Sequence, residues 1–232
     1  MDGGRAVRRT ASSPNQHRLK VPSTRAVRTM ELLNERVLRR RVVKIALAGW
    51  FTAMVGLSAI LLARHVVPLP RPSADDAALA TALAALRRPE DAQRFFAVHV
   101  LFTECRCSQR ISEHLLTSTR PPDLGEAVLL VGESPELEAR LGARGFAVTR
   151  VDADELGTRY HVKAAPILVL LAPDGAVRYA GGYTTSKQGP DPRDLDIIAR
   201  ARTEGGLLKA LPVFGCAVAE KLRQRLDPTG LL

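Results

Sequence analysis

Apolar and polar positions fall into two kinds of block along this chain. From Ile45 to Ala63 nineteen consecutive residues carry no charge (IALAGWFTAMVGLSAILLA), and Val42 and Val43 extend the stretch past Lys44. A helix needs about 20 apolar residues to cross a ~30 Å hydrocarbon layer. The segment therefore predicts a transmembrane helix over residues 42–63, with Lys44 snorkelling to the headgroups. A cleaved signal peptide is the alternative. Its apolar region is about 7–15 residues long and ends in a small-residue cleavage site, whereas here Leu61-Leu62-Ala63-Arg64 closes a longer stretch. An uncleaved anchor fits better.

Past the anchor the apolar residues come in short runs. Asp75 to Arg88 sets Ala78, Leu79, Ala82, Leu83 and Leu86 at helical spacing, with Ser73 as N-cap. Phe95 to Phe102 (FFAVHVLF) reads as a buried strand, and Gln109 to Leu116 as a helix. Ala127 to Val131 predicts a second strand, Pro135 to Arg144 a helix with Pro at its first position, and Phe146 to Val151 a third strand. Asp154 to Tyr160 is a short helical piece. Pro166 leads the most apolar strand, Ile167 to Leu171. Pro173-Asp174-Gly175 marks a turn from which Ala176 to Tyr179 pairs back as a hairpin. Asp194 to Arg202 and Val218 to Leu226 close the series as helices. Strands alternating with helices and ending in a hairpin predict an α/β sandwich around a mixed sheet, as one domain over residues 74–232. Pro68, Pro70 and Pro72 make residues 64–73 a stiff linker.

Charge changes the picture less than its total suggests. The 232 residues carry a net charge of +10, but residues 1–44 hold twelve lysines and arginines against three acids, and the rest nearly balances. A basic, polar segment with Pro14 and Pro22 predicts a disordered tail over 1–41, and Met30 offers a second start. The tail has neither aromatics nor a folded reader, so nucleic acid is not the expected partner; attraction to a membrane surface is. Arg25, Arg28, Arg36, Arg39, Arg40, Arg41 and Lys44 precede the span and only Arg64 and Arg71 follow it closely. That bias predicts a cytoplasmic N-terminus, with the domain outside, in the periplasm of a cell with an inner membrane.

Three cysteines exclude a disulfide-stapled mini-protein. Two of them, Cys105 and Cys107, sit where the first strand ends and a helix begins. The free N–H groups and partial positive charge of a helix start favour the reactive thiolate. Arg106 adds a full charge between the sulfurs, and Glu104 opposes it. Residues i and i+2 of a helix point apart, so Cys105 must precede the helix if the two are to bond. The small ring would be strained and suited to exchange. Cys107 is expected to feel the helix dipole more and Cys105 to be the more exposed.

This order of elements resembles the thioredoxin-like superfamily. The additional strand and helix, Val128 to Arg144, resemble the insertion of membrane-anchored TlpA/ResA-type proteins. Tyr160-His161-Val162-Lys163-Ala164-Ala165-Pro166 is similar to that family's Tyr-Gly-Val-x-x-x-Pro. Closest in kind are the RedB-like thioredoxin-fold proteins, with a Cys-Pro-Cys-Ser turn and a Pro-Val-Phe-Gly-Cys segment. The resemblance spans about residues 93–185. It implies a three-layer sandwich with a mixed central sheet, a cis Pro166 facing the cysteines, and Ala165 offering its backbone to an extended substrate. It implies thiol–disulfide exchange with protein disulfides or thiols, without cofactor, and Cys105 as the attacking thiol. The chain departs from the family in having Cys-x-Cys and in Glu104, where an aromatic residue is usual. His99, six residues before Cys105, occupies the position of a buried acid and is a candidate proton relay.

Cys216, in Pro212-Val213-Phe214-Gly215-Cys216-Ala217 at the expected start of the last helix, is a candidate resolving thiol. Its alternative is an ordinary small buried residue. Were it to join the pair, three thiolates would suit Cu(I), the competing reading. His114 is too far along its helix from Cys107 to share an ion, and zinc spacing is missing. The glycine-rich stretch Gly181 to Pro190 is a loop placed to wall the site.

Overall fold

The computed structural model describes residues 24–66, 68–187, 189 and 191–226. Residues 1–23 of the tail expected over 1–41, and the chain after Leu226, lie outside the described residues. The chain divides into two compact units, Met1–Leu61 and Leu62–Leu232.

In the first unit a single helix begins at Thr24; the whole helix, α1, runs Thr24–Val66. The basic segment from Arg25 to Lys44 is thus helical and not loop-like. After Pro22 no proline or glycine interrupts the chain before Gly49, and Glu, Leu, Arg and Met are good helix formers. Within α1, Leu38–Ile60 is long and apolar enough to cross a membrane, with a mean hydropathy of 1.7 over 23 residues and no burial. Ile45, Trp50, Phe51 and Ile60 lie more than half exposed.

The second unit is built on a five-stranded sheet. Its chain order is α2 (Ala77–Ala84), β1 (Phe95–Phe102), α3 (Arg106–Thr117), β2 (Leu124–Val131), α4 (Pro135–Ala143), β3 (Ala147–Val151), α5 (Ala153–Arg159), β4 (Ala164–Ala165), β5 (Ile167–Leu171), β6 (Val177–Gly181), α6 (Asp194–Glu204), β7 (Cys216–Ala217) and α7 (Glu220–Leu226). The sheet order is β3-β2-β1-β5-β6. β1, β2 and β3 are parallel; β5 runs antiparallel to β1 with His99 opposite Leu168, and β6 antiparallel to β5. β4 and β7 form a separate two-stranded ribbon.

Two-residue periodicity divides the core. Phe96, Val98, Val100, Ile167 and Val169 face one side, with Leu79 and Leu83 of α2 and Leu156 of α5. Ala97, Leu101, Leu168 and Leu170 face the other, with Ile111 and Leu115 of α3, Leu141 of α4 and Ile197 and Ile198 of α6. The result is the three-layer α/β sandwich with a mixed central sheet that the sequence predicts.

Three local expectations change. Asp76, not Ser73, caps α2, accepting from the N–H groups of Ala78 and Leu79. The linker is docked: Pro72 is buried, and Leu69 N–H donates to the Val213 carbonyl at 2.8 Å as an isolated antiparallel rung. Cys216 lies not in a helix but in β7, where Ala165 is its partner in register.

Candidate functional site

The first strand delivers the cysteine turn. Cys105 is the N-cap of α3, with extended backbone (φ −97°, ψ 116°), and its N–H donates to Phe102 O at 3.0 Å. Its carbonyl takes the first helical hydrogen bond, from Gln109 N–H at 2.9 Å. Arg106 and Cys107 are already helical, so Cys105 precedes the helix as the sequence requires. Ser108 braces the corner by accepting from Phe102 N–H at 3.1 Å.

Across from the turn, the Ala165–Pro166 peptide bond is cis, as the resemblance implies. Cys105 Sγ lies 3.8 Å from the Ala165 carbonyl oxygen. His161, upstream of it, has a positive φ of 52°. It stands where the similar motif carries glycine, the residue that adopts this conformation freely. The His161 ring is held by the Asp76 carboxylate at 2.5 Å.

Cys107 and Cys216 both act on Cys105. Its pKa is driven far below the ordinary thiol range, first by hydrogen bonds from Cys107 and Cys216, then by the Ser108 N–H, against a burial cost. Cys107 is pushed up because its S–H donates to Cys105, then by burial and by the charge it faces; Arg110 and Lys187 pull it back down. Cys216 is pushed up in the same way. All three cysteines are free, with no disulfide among them.

The exposures reverse the expectation from sequence. Cys105 has no exposed surface. Cys107 is half-buried and lines a cleft of about 240 Å³ with Arg110, His114, Pro166, Tyr183 and Phe214. Thr184 and Gly189 wall the same cleft, as expected of the glycine-rich loop. Arg106 points instead to an open depression with Gln109, Arg110 and Glu113, so the cations acting on Cys107 are Arg110 and Lys187. The backbone edge at Ala165, expected to be free for substrate, is paired with Cys216.

Gly215 allows that pairing. A Cβ there would overlap the Ala165 carbonyl and stand 2.6 Å from Pro166 Cδ. Gly215→Ala is expected to lift β7 off β4. Alkylation of Cys105 by iodoacetamide should then rise roughly tenfold or more, since local opening governs the reactivity of buried groups.

His99 is fully buried and both its ring nitrogens are taken. Nε2 donates to Glu126 at 3.1 Å, and Nδ1 shares a hydrogen bond with the Tyr183 hydroxyl at 2.8 Å. Neither nitrogen is bonded to a thiol, so the arrangement does not place it as a relay to the cysteines. It belongs to a chain the sequence did not single out. Arg120 reaches both Glu126 and Asp194, and His114 donates to Asp194 at 2.8 Å. Burial alone would raise both acids; hydrogen bonds from His99 and Arg120 hold Glu126 low, and His114 and Arg120 hold Asp194 low. Tyr183 is raised well above its usual value, chiefly by burial. The one available signal was Glu126 itself, an acid at the head of an apolar run.

No protein-family model and no curated protein matches the chain. Among solved structures it is similar to an uncharacterized conserved protein of Geobacillus kaustophilus, at 18% identity over 57% of this chain and 81% of that one, TM-score 0.45. It is also similar to a hypothetical protein of Sinorhizobium meliloti, at 18% identity over 66% and 91%, TM-score 0.44. The thioredoxin domain of a thiol-disulfide oxidoreductase from Bacteroides vulgatus matches at 12% identity over 38% and 69%, TM-score 0.30. The fold is defined by the chain's own topology. A βαβ unit carries the cysteine turn, a ββα unit opens on a cis-proline facing it, and the two halves share one sheet. That is a thioredoxin-like α/β sandwich.

Proposed function

We propose that this chain is a membrane-anchored, extracytoplasmic thiol–disulfide oxidoreductase acting on protein disulfides or thiols through Cys105 and Cys107. One observation carries the reading: Cys107 lines the cleft beside Pro166, next to a Cys105 whose pKa is held low. The apolar span Leu38–Ile60 and the arginines preceding it support the anchor and its orientation.

The exposures favour Cys107, rather than Cys105, as the thiol that meets substrate. Cys107 sulfur attacks one sulfur of a substrate disulfide as its proton passes to Cys105, and the other substrate sulfur leaves as thiolate. That thiolate takes the proton from Cys105. Cys105 sulfur then attacks Cys107 in the mixed disulfide; the bond to substrate breaks and a Cys105–Cys107 bond forms. Both substrate sulfurs leave reduced, and the reverse sequence oxidises a dithiol. Arg110 and Lys187 stabilise negative charge developing on Cys107.

The competing reading, a Cu(I) carrier without turnover, has less support. Among the described residues no group of three His, Cys, Asp or Glu is placed to hold a metal ion. The test is trapping. The full-length Cys105→Ser variant in detergent, mixed with insulin, should retain a covalent adduct on the tryptic peptide 107–110. An adduct found instead on peptide 95–106 of Cys107→Ser, with none in Cys105→Ser, would return the attack to Cys105.

A further inference from the structure

Cys216 is not needed for the exchange just described, yet its strand pairs with the residue whose carbonyl Cys105 faces. Strand β7 pairs Cys216 with Ala165, whose carbonyl lies 3.8 Å from Cys105 Sγ. The Val218 and Ala219 N–H groups both donate to the Lys163 carbonyl, at 2.8 and 3.1 Å, fixing the residues that follow. Gly215 itself lies against the Ala165–Pro166 peptide. Cys105 therefore has two thiol partners on different elements: one two residues away in its own turn, one reached across the fold.

The two partners are not equivalent. Cys107 lies in the first turn of α3, and Cys105 carries that turn's first helical hydrogen bond. A Cys105–Cys107 bond closes a very small ring that works against this geometry, and a strained disulfide is readily exchanged. Cys216 is separated from Cys105 by more than 100 residues of folded chain, so a bond between them closes no small ring. It stands on a two-residue strand followed by α7, which has no buried residue.

We infer that Cys216 is a relay thiol that takes over the disulfide from Cys107, so that the resting oxidised form is Cys105–Cys216. This rests on the exchange reading above and extends it. Cys216 sulfur attacks Cys105 in the Cys105–Cys107 bond. That bond breaks, the Cys105–Cys216 bond forms, and the proton of Cys216 ends on Cys107. No electrons leave the protein and no further oxidant is consumed. Cys107 is thereby returned as a free thiol in the cleft, while the oxidising equivalent is stored beneath β7.

Arg106 makes the pairings separable, because trypsin cuts between the two cysteines of the turn. Cys105 falls in peptide 95–106, Cys107 in 107–110 and Cys216 in 210–221. The full-length protein in detergent is oxidised with oxidised glutathione, blocked with N-ethylmaleimide and mapped without reduction. The expected product links 95–106 to 210–221 and leaves 107–110 alkylated or glutathionylated. In Cys216→Ser the link should move to 95–106 with 107–110, and at least tenfold less reduced glutathione should suffice to open it. A wild-type map linking 95–106 to 107–110, with 210–221 alkylated, overturns the relay and leaves the exchange reading standing. Three unlinked thiols in the wild type overturn both.

Discussion

Replacing Arg120 by methionine is expected to destabilise the α/β unit by about 3–5 kcal/mol, because removing one partner of a buried ion pair leaves the others uncompensated. Arg120 is nearly buried between Glu126 and Asp194, and both carboxylates lean on it. For a domain of this size that loss corresponds to a melting temperature lower by roughly 10 °C. Thermal unfolding of the full-length protein in detergent checks it. The same network sets an acid limit. Glu126 and Asp194 are depressed in the folded state below their ordinary values of 4.5 and 3.8. Their contribution is therefore fully present above about pH 5 and is lost progressively as pH falls below 4.5 and protonation overtakes the depressed values. The wild-type melting temperature should fall steeply over that acid range, and Arg120→Met should flatten the fall. An unchanged profile would show that the carboxylates do not draw their stabilisation from Arg120.

Cys107→Ser is expected to reduce insulin disulfide reduction to the uncatalysed background. A hydroxyl does not form a mixed disulfide, and Cys105 has no exposed surface from which to replace it. The fold should be untouched, because Cys107 is half-buried at the cleft and the exchange removes no packing. Turnover assayed beside a thermal melt separates the two effects. Residual activity within a few-fold of wild type would mean that β7 opens often enough for Cys105 to attack directly.

How much of this was legible in the sequence follows from the range of the forces involved. β1 was bounded correctly at Phe95 and Phe102, and β5 at Ile167 and Leu171, because a fully buried strand shows as an unbroken apolar run. The turn between β1 and α3 was legible because two cysteines in three residues need only local geometry. α3 begins earlier than the apolar spacing suggested, since Arg106 and Cys107 are polar or small residues on a helix whose buried face starts later. The relative exposure of Cys105 and Cys107 was not legible. It is decided by β7, more than 100 residues downstream, and Cys216 lacked any helical or strand periodicity to place it. Likewise Arg120, Glu126, Asp194 and Tyr183 meet only because the loop after α3, β2, the loop after β6 and the start of α6 converge. Nothing in their spacing announces a buried polar chain.

The rung between Leu69 and Val213 ties the linker to the segment that carries Cys216. Val213 lies three residues from Cys216, and Leu69 three residues from the end of α1. Leu69 thus holds the segment that leads into β7. A fragment trimmed to begin after Leu69 would lose that rung and leave the segment before Cys216 without it.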